Sequence, residues 1–420
     1  MTTAPASTYS SVRSPRFAGF VLLQIAILSV GTVWGATRWR QQALERATPP
    51  LLAEPLTIRP LFDYPLVVSD EQLRMSLLKL RPKKHGAKTK INHIDHALRF
   101  WTQHAKFKDP AYFSGEELRG VLTDNRKFAE LYGPKAAPLL IDTPFGVRVR
   151  LQEGNLSSSH VDHTVGGLSE IGTPLDFPVV TPNRRTTYRA MVDEALHDFS
   201  LNQIEYEWSA MTMIAFLPPT KSWTTTEGQR ISFDMLAERM MREEQPRGVC
   251  FGNHRLYSLA LFLRIDDTQH VLSPEVRAQV ITYLMNQSIT LVRHQHSDGY
   301  WDGKWPLKPA SGDGKDPSTG DALTDRILAT GHALEWWAMA PEQCHPPRDV
   351  IVKAGQWMVH TIENLTPEQV DNYYTFLTHA GRSLALWRAK LPYEVELNEV
   401  VVAPPAAAAV AAPDVKPATK

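Results

Sequence analysis

Gln295-His296-Ser297-Asp298-Gly299-Tyr300-Trp301 stands at the end of a long amphipathic segment. A glutamine amide placed there can satisfy backbone groups that a helix terminus leaves unpaired, and Gly299 permits a turn with positive φ. The segment ahead of it opens on Ser273-Pro274-Glu275, an N-cap followed by proline at the first helical position and then an acid. The pattern predicts a helix from Pro274 to about Arg293, a tight corner, and another helix beyond it. Asp302-Gly303-Lys304-Trp305 extends the corner.

Working outward, the same grammar recurs. Leu256, Leu259, Ala260 and Leu263 follow i, i+3, i+4, i+7, and Val370, Tyr374, Leu377, Gly381 and Leu384 form another stripe. Met191 to Phe199, Trp208 to Ala215, Phe233 to Met241 and Ile351 to Ile362 carry further apolar faces. Thr366-Pro367-Glu368 repeats the N-cap device, and Ser114 to Glu117 has capping-box spacing. Short Pro/Gly/Asp connections between these segments predict a chain of αα-hairpins. Strand signals are few; Val147 to Leu151 alternates and is expected to form a short arm with Pro138–Asp142.

The Q-x-x-x-G-x-W pattern of Gln295 to Trp301 resembles the repeat signature of the triterpene cyclases, in which the Trp stacks on the Gln and caps the next helix. That resemblance implies an all-α fold: an α/α toroid of helical hairpins of the terpenoid cyclase and protein prenyltransferase class. It covers Cys250 to Pro341 most directly, and about 160–390 by pattern. The chemistry does not carry over. Arg264-Ile265-Asp266-Asp267 lacks the first acid of the cyclases' D-x-D-D, and no Asp-x-Cys is present to hold the prenyltransferase zinc. Thr330-Gly331-His332-Ala333-Leu334-Glu335-Trp336 resembles the G-H-x-x-E-W of N-acylglucosamine 2-epimerase-type toroids, which implies a proton-transfer role for His332.

The 420 residues carry 45 Lys+Arg against 45 Asp+Glu, a balance that argues against a chain built to coat nucleic acid. Cys250 and Cys344 are too few for a disulfide framework or a four-cysteine zinc site. Residues 17–37 are free of charge, flanked by Arg13, Arg16, Arg38 and Arg40, with Trp34 and Trp39 at interfacial positions. They predict a single transmembrane anchor in contact with membrane lipid, with the bulk of the chain extracytoplasmic; a cleaved signal peptide is the alternative. Residues 1–16 read as a disordered tail and 38–90 as a Pro-rich, basic stalk. Within the stalk, Arg81 to Lys90 would either touch anionic head groups or form a solvated loop. The helical toroid is expected over 91–392, and 393–420 read as a disordered Ala/Pro-rich tail.

Several residue groups can carry chemistry. His332 and Glu335 lie three apart on one helix face, where a carboxylate can tune an imidazole for proton transfer. Glu207 sits on an apolar helix and needs a partner; Arg255 is the expected one. The arrangement reads as a general acid or base, or as an ion pair joining two hairpins. His160-Val161-Asp162-His163 can supply two metal ligands, with His254, Cys250 or Glu170 as a third, or can line a polar cleft. Cys250 with His254 has the composition of a nucleophile pair. Asp298 adds a carboxylate, and Trp301, Trp305 and Trp336 can line a pocket. The sequence reading groups His332, Glu335, Glu207 and Asp298 as catalytic candidates. It groups His160, Asp162, His163, His254, Arg255, Trp301, Trp305 and Trp336 as ligand-binding ones. No metal or other cofactor is assigned. The expected function is binding of an unidentified small molecule in a central cavity, with acid–base chemistry; a carbohydrate-active toroid and a noncatalytic envelope scaffold are the alternatives.

Overall fold

A computed structural model describes residues 15–47, 49–203, 205–217, 220, 222–225, 227–243, 249–302 and 321–399. In chain order the helices are α1 Pro15–Ala47, α2 Asp70–Lys79, α3 Ile91–Trp101, α4 Gly115–Thr123, α5 Asn125–Tyr132, α6 His163–Glu170 and α7 Arg189–Asp198. They continue as α8 Glu207–Phe216, α9 Phe233–Arg242, α10 Asn253–Gln269, α11 Pro274–His294, α12 Ala322–Met339, α13 Arg348–Asn364 and α14 Pro367–Leu386. The described strands pair only as three small antiparallel arms: β1 Leu140–Asp142 with β2 Val147–Val149, β3 Pro178–Val180 with β4 Arg185–Thr187, and β5 Trp223–Thr224 with β6 Arg230–Ile231. The fold is all-α.

Six helices close a ring. α3 packs on α6, α6 on α8, α8 on α10, α10 on α12, α12 on α14, and α14 returns to α3. A second set lies outside them: α4 against α3, α7 against α8, α9 and α11 against α10, α13 against α12, and α2 against α13 and α14. The inner helices are buried almost all round. In α10, α12 and α14 long runs are buried, from Asn253 to Leu263, from Ile327 to Met339 and from Leu377 to Leu386. The outer helices α9, α11 and α13 bury a stripe at helical spacing instead. This is the α/α toroid expected from the hairpin pattern.

The corner at Gln295 works as its sequence suggests. Gln295 Nε2 donates to Gly299 O and Val350 O, both at 2.9 Å, tying the end of α11 to the start of α13. Gly299 has φ +105°, and a Cβ there would meet Lys353 O at 2.4 Å. Trp301 is fully buried; its indole donates to Leu291 O at 2.8 Å, and its backbone N–H donates to Thr330 Oγ1 on α12 at 3.0 Å. One short turn thereby fastens three helices.

Two expectations change. Residues 49–90 are not a free stalk: Val67, Val68, Leu73, Leu77 and Leu80 are buried in the core, and Leu52 and Leu56 donate backbone hydrogen bonds to Phe216 and Ala215 on α8. The prolines here shape a strap laid on the ring, because its alternate side chains are apolar enough to bury. Three cations of the basic run at its end pair within the protein, Arg81 on Glu399, Lys84 on Glu117 and Lys83 on Asp371, while Lys88 and Lys90 are exposed. The ring begins with α3 at Ile91, the start of the range expected for the toroid, and ahead of 160, where the pattern resemblance was placed. Before the strap, Ala18–Trp39 of α1 has mean hydropathy 1.8 and no buried residue, long and apolar enough to cross a membrane by length and composition. Trp305 and residues 1–14 and 400–420 lie outside the described residues.

Candidate functional site

Each inner helix sends one aromatic ring to the centre. His96 (α3) stacks on His163 (α6) at 4.3 Å, and His163 meets Trp208 (α8) edge-on at 4.2 Å. Trp208 contacts His254 (α10) at 5.1 Å, and His254 contacts His332 (α12) at 4.9 Å. His332 lies 3.9 Å from His379 (α14), which returns to His96 at 5.4 Å. Six rings, one per helix, close a loop of five imidazoles and one indole. His160 flanks it, 6.0 Å from His163 and 6.1 Å from His254.

One helical turn further along, four of the same helices present charged or phenolic groups: Arg99, Tyr257, Glu335 and Arg382, each three residues after its histidine. Glu170, at the end of α6, completes the layer. Because the partner follows the histidine on every helix, the two layers stack only if the inner helices run in one direction. Arg99 donates to Glu170 Oε2 at 2.7 Å and to Glu335 Oε1 at 2.8 Å. Arg382 donates to Glu335 Oε1 at 2.5 Å, to Glu170 Oε1 at 2.6 Å and to the Tyr257 hydroxyl at 3.0 Å. Tyr257 donates to Glu170 as well. Two guanidinium groups and two carboxylates thus cancel in a buried, hydrogen-bonded network.

The two layers differ in electrostatics. Burial pushes Glu335 up, but Arg99, His379 and Arg382 outweigh it and hold the carboxyl well below the usual range. Glu170 is lowered too, with Arg382 and Arg99 overcoming its burial. Above them, burial and then neighbouring imidazoles push His96, His254 and His379 well below the ordinary histidine value, so these rings are neutral. Burial also lowers His332, against the upward pull of Glu335. Glu335 Oε2 lies 2.9 Å from His379 Nδ1 and 3.4 Å from His332 Nδ1. With Nδ1 occupied in this way, the Nε2 atoms of His332 and His379 are left without a hydrogen-bond partner among the described residues, as is Nε2 of His254. His163 Nδ1 is 2.9 Å from Asp95 Oδ2, off the line of a hydrogen bond. Thr164 donates to the same carboxylate oxygen at 2.7 Å.

The sequence-derived residues divide. His332, Glu335, His163 and His254 meet at the centre, with His160 at its edge against Glu205 at 3.2 Å. Asp162 lies on the rim, where it accepts a hydrogen bond from Ser209, and burial raises its carboxyl to about 6. Glu207 and Arg255 form the expected buried ion pair, Nε to Oε1 3.5 Å, with Glu243 as a second carboxylate 3.5 Å from Arg255. Burial raises Glu207 despite Arg255. Three candidates stand apart from the loop of rings. Asp298 is exposed on the corner turn beside Ser297, because the corner faces outward. Trp301 is the corner pin described above, not a pocket wall. Trp336 is buried core packed on Trp337 at 5.3 Å. Sequence reasoning missed Asp95, His96, Arg99, Tyr257, His379 and Arg382. A signal for most of them exists: His96-x-x-Arg99, His254-x-x-Tyr257, His332-x-x-Glu335 and His379-x-x-Arg382 repeat one spacing on four helices.

Cys250 lies just before α10, in the 3-10 turn Val249–Gly252. It and Gly252 both have positive φ, +55° and +75°, and Asn253 Nδ2 donates to Cys250 O at 2.9 Å. Ligand atoms of Cys250, His254 and His332 all lie within 4.8 Å of one another, as do those of His332, Glu335 and His379. No family model matches the chain, and no curated protein or solved structure matches it either.

Proposed function

We propose that the chain is a membrane-anchored α/α-toroid protein that binds a polar small molecule at its histidine-lined centre and moves a proton there. The observation that carries this reading is the convergence of buried, neutral imidazoles whose Nε2 atoms have no partner among the described residues. Buried polar atoms are ordinarily satisfied, and orphans gathered on neighbouring rings mark a place where something else supplies the partner. The proton carrier is the His379–Glu335 pair, whose 2.9 Å contact is closer than the 3.4 Å contact of His332. Glu335 fixes the His379 tautomer and stabilises its cation, while Nε2 is left without a partner among the described residues.

A polar ligand of the carbohydrate or hydroxy-acid class fits better than an isoprenoid. Trp301, Trp336 and Trp337 are spent in the core, and only Trp208 among the aromatic residues of the loop offers a carbon face. The apolar α1 segment supports anchoring, with the toroid on the extracytoplasmic side. Protease digestion of sealed vesicles tests that orientation: a toroid shielded until the membrane is opened would reverse it.

The ligand class is tested by thermal shift of the full chain in detergent against monosaccharides, hydroxy acids and isoprenoid alcohols. A polar compound is expected to raise Tm, and His379→Gln to remove the rise. Stabilisation by the isoprenoids alone, or by no member of the panel, defeats the reading.

A further inference from the structure

The loop of rings has one side where a thiol joins the imidazoles. Cys250 is carried there by a turn in which it is itself left-handed, a backbone shape that a non-glycine residue holds only where surrounding contacts impose it. His254 follows one turn into α10, and His332 faces both from the next inner helix. His254 and His332 are 6% and 2% exposed, and Nε2 of each lacks a partner among the described residues. We propose that Cys250 Sγ, His254 and His332 Nε2 bind a zinc-class divalent cation, with the fourth position open toward His379. This deepens the reading of the centre as a ligand site and rests on it.

The donor set suits that metal. Zinc takes thiolate and imidazole at about 2.0–2.3 Å, and three protein ligands with an open fourth position is the arrangement of sites that do chemistry. Tetrahedral bonds of those lengths place donors roughly 3.3–3.8 Å apart, so the present spacing, within 4.8 Å, needs a closure of only about 1 Å. His332 already has the outer partner that metal-bound imidazoles use, a carboxylate on the other ring nitrogen. The second cluster, His332 with Glu335 and His379, is the weaker candidate. Both Glu335 oxygens are engaged, Oε1 by Arg99 and Arg382 and Oε2 by His379. Glu335 therefore orients ligands and is not one itself. Burial keeps the free Cys250 thiol protonated, so binding would displace a proton from it. The cation would polarise a substrate oxygen or a water held beside His379.

The test uses the full chain in detergent, stripped with chelator and reloaded with zinc or cobalt. Elemental analysis is expected to find about one metal per chain, and the cobalt form to show a thiolate-to-cobalt charge-transfer band in the near ultraviolet. Cys250→Ser should abolish that band, and His332→Ala, which removes a direct ligand, should weaken zinc affinity by more than the roughly 10–100-fold that loss of an outer partner costs. Loss of an exposed imidazole, His360→Ala on α13, should change neither. Metal content near zero after reloading overturns the proposal, as does a cobalt spectrum of the unsubstituted protein without the band. The latter needs no variant to fold. Polar-ligand binding by a protein that takes up no metal on reloading would sink the metal and keep the ligand site. Stoichiometric metal with no ligand in the panel would do the reverse.

Discussion

Two layers of the same ring, one helical turn apart, have opposite physical character. In the lower, Arg99, Arg382, Glu170, Glu335 and Tyr257 are joined by short hydrogen bonds, and the charges cancel. In the upper, five imidazoles meet in a mixture of stacked, tilted and edge-on contacts, His96, His254 and His379 are held neutral by burial, and several Nε2 atoms are unpaired among the described residues. A satisfied buried network rigidifies; an unsatisfied one costs free energy unless something completes it. The lower layer accordingly reads as the floor that sets the diameter and register of the ring, and the upper one as the unsatisfied layer to which the proposed ligand is assigned. Glu335 belongs to both, since its carboxylate closes the floor and aims His332 and His379.

The largest expected effect breaks the floor. Glu335→Gln leaves two buried guanidinium groups facing one carboxylate. Removing one partner of a buried ion pair typically costs about 3–5 kcal/mol. Chemical denaturation should show that loss in the metal-free protein, whereas His254→Gln in the upper layer should stay within about 1 kcal/mol. Equal losses from the two substitutions would erase the distinction between the layers.

A smaller effect sharpens the reading of the imidazoles as neutral. His93 lies outside the loop, buried and stacked on Tyr374 at 4.0 Å, and burial lowers it to about 3. The unfolded chain binds a proton there below about pH 6.5 while the folded chain does not. Its contribution to stability is therefore complete above that pH and is lost progressively as pH falls toward 3. Denaturation at about pH 7.5 and about pH 5 should differ by about 2 kcal/mol from this residue alone. The rings of the upper layer, lowered in the same direction, add to the loss. His93→Phe, which keeps the stack, should shrink the difference; an unchanged difference would mean that His93 is charged in the folded protein.

How far the sequence could be read follows from the range of the interactions involved. The corner was legible because Gln295, Gly299 and Trp301 lie within seven residues, and a turn glycine and an amide beside a helix end have few alternative uses. The hairpins were legible from apolar spacing, and the β1–β2 arm from alternation. Glu207 predicted Arg255 because a carboxylate in an apolar helix admits few solutions. The floor was not legible: Arg99, Glu170, Glu335 and Arg382 are separated by up to 283 positions, and only ring closure makes them neighbours. Histidine followed three residues later by Arg, Tyr or Glu looks ordinary on any one helix. Only its repetition on four of six inner helices gives the layers away. The strap at 49–90 was misread because its prolines spoke for extension, and extension is as compatible with lying on a surface as with leaving it.

The last effect runs against the His93 trend and concerns a carboxylate placed differently from Glu335. Asp162 is on the rim with a hydroxyl partner, Ser209, where Glu335 has two guanidinium groups. Burial raises Asp162 from 3.8 to about 6. The folded protein then binds a proton that the unfolded chain has released, so stability is greatest below about pH 4 and declines as pH rises through 6. This is the reverse of the His93 trend. Asp162→Asn keeps an acceptor for Ser209 and tolerates the left-handed backbone, φ +53°. It should stabilise the protein by up to about 3 kcal/mol at neutral pH and by nothing near pH 4. A gain that is the same at both values would assign the effect to backbone preference and leave the rim carboxylate ionised throughout.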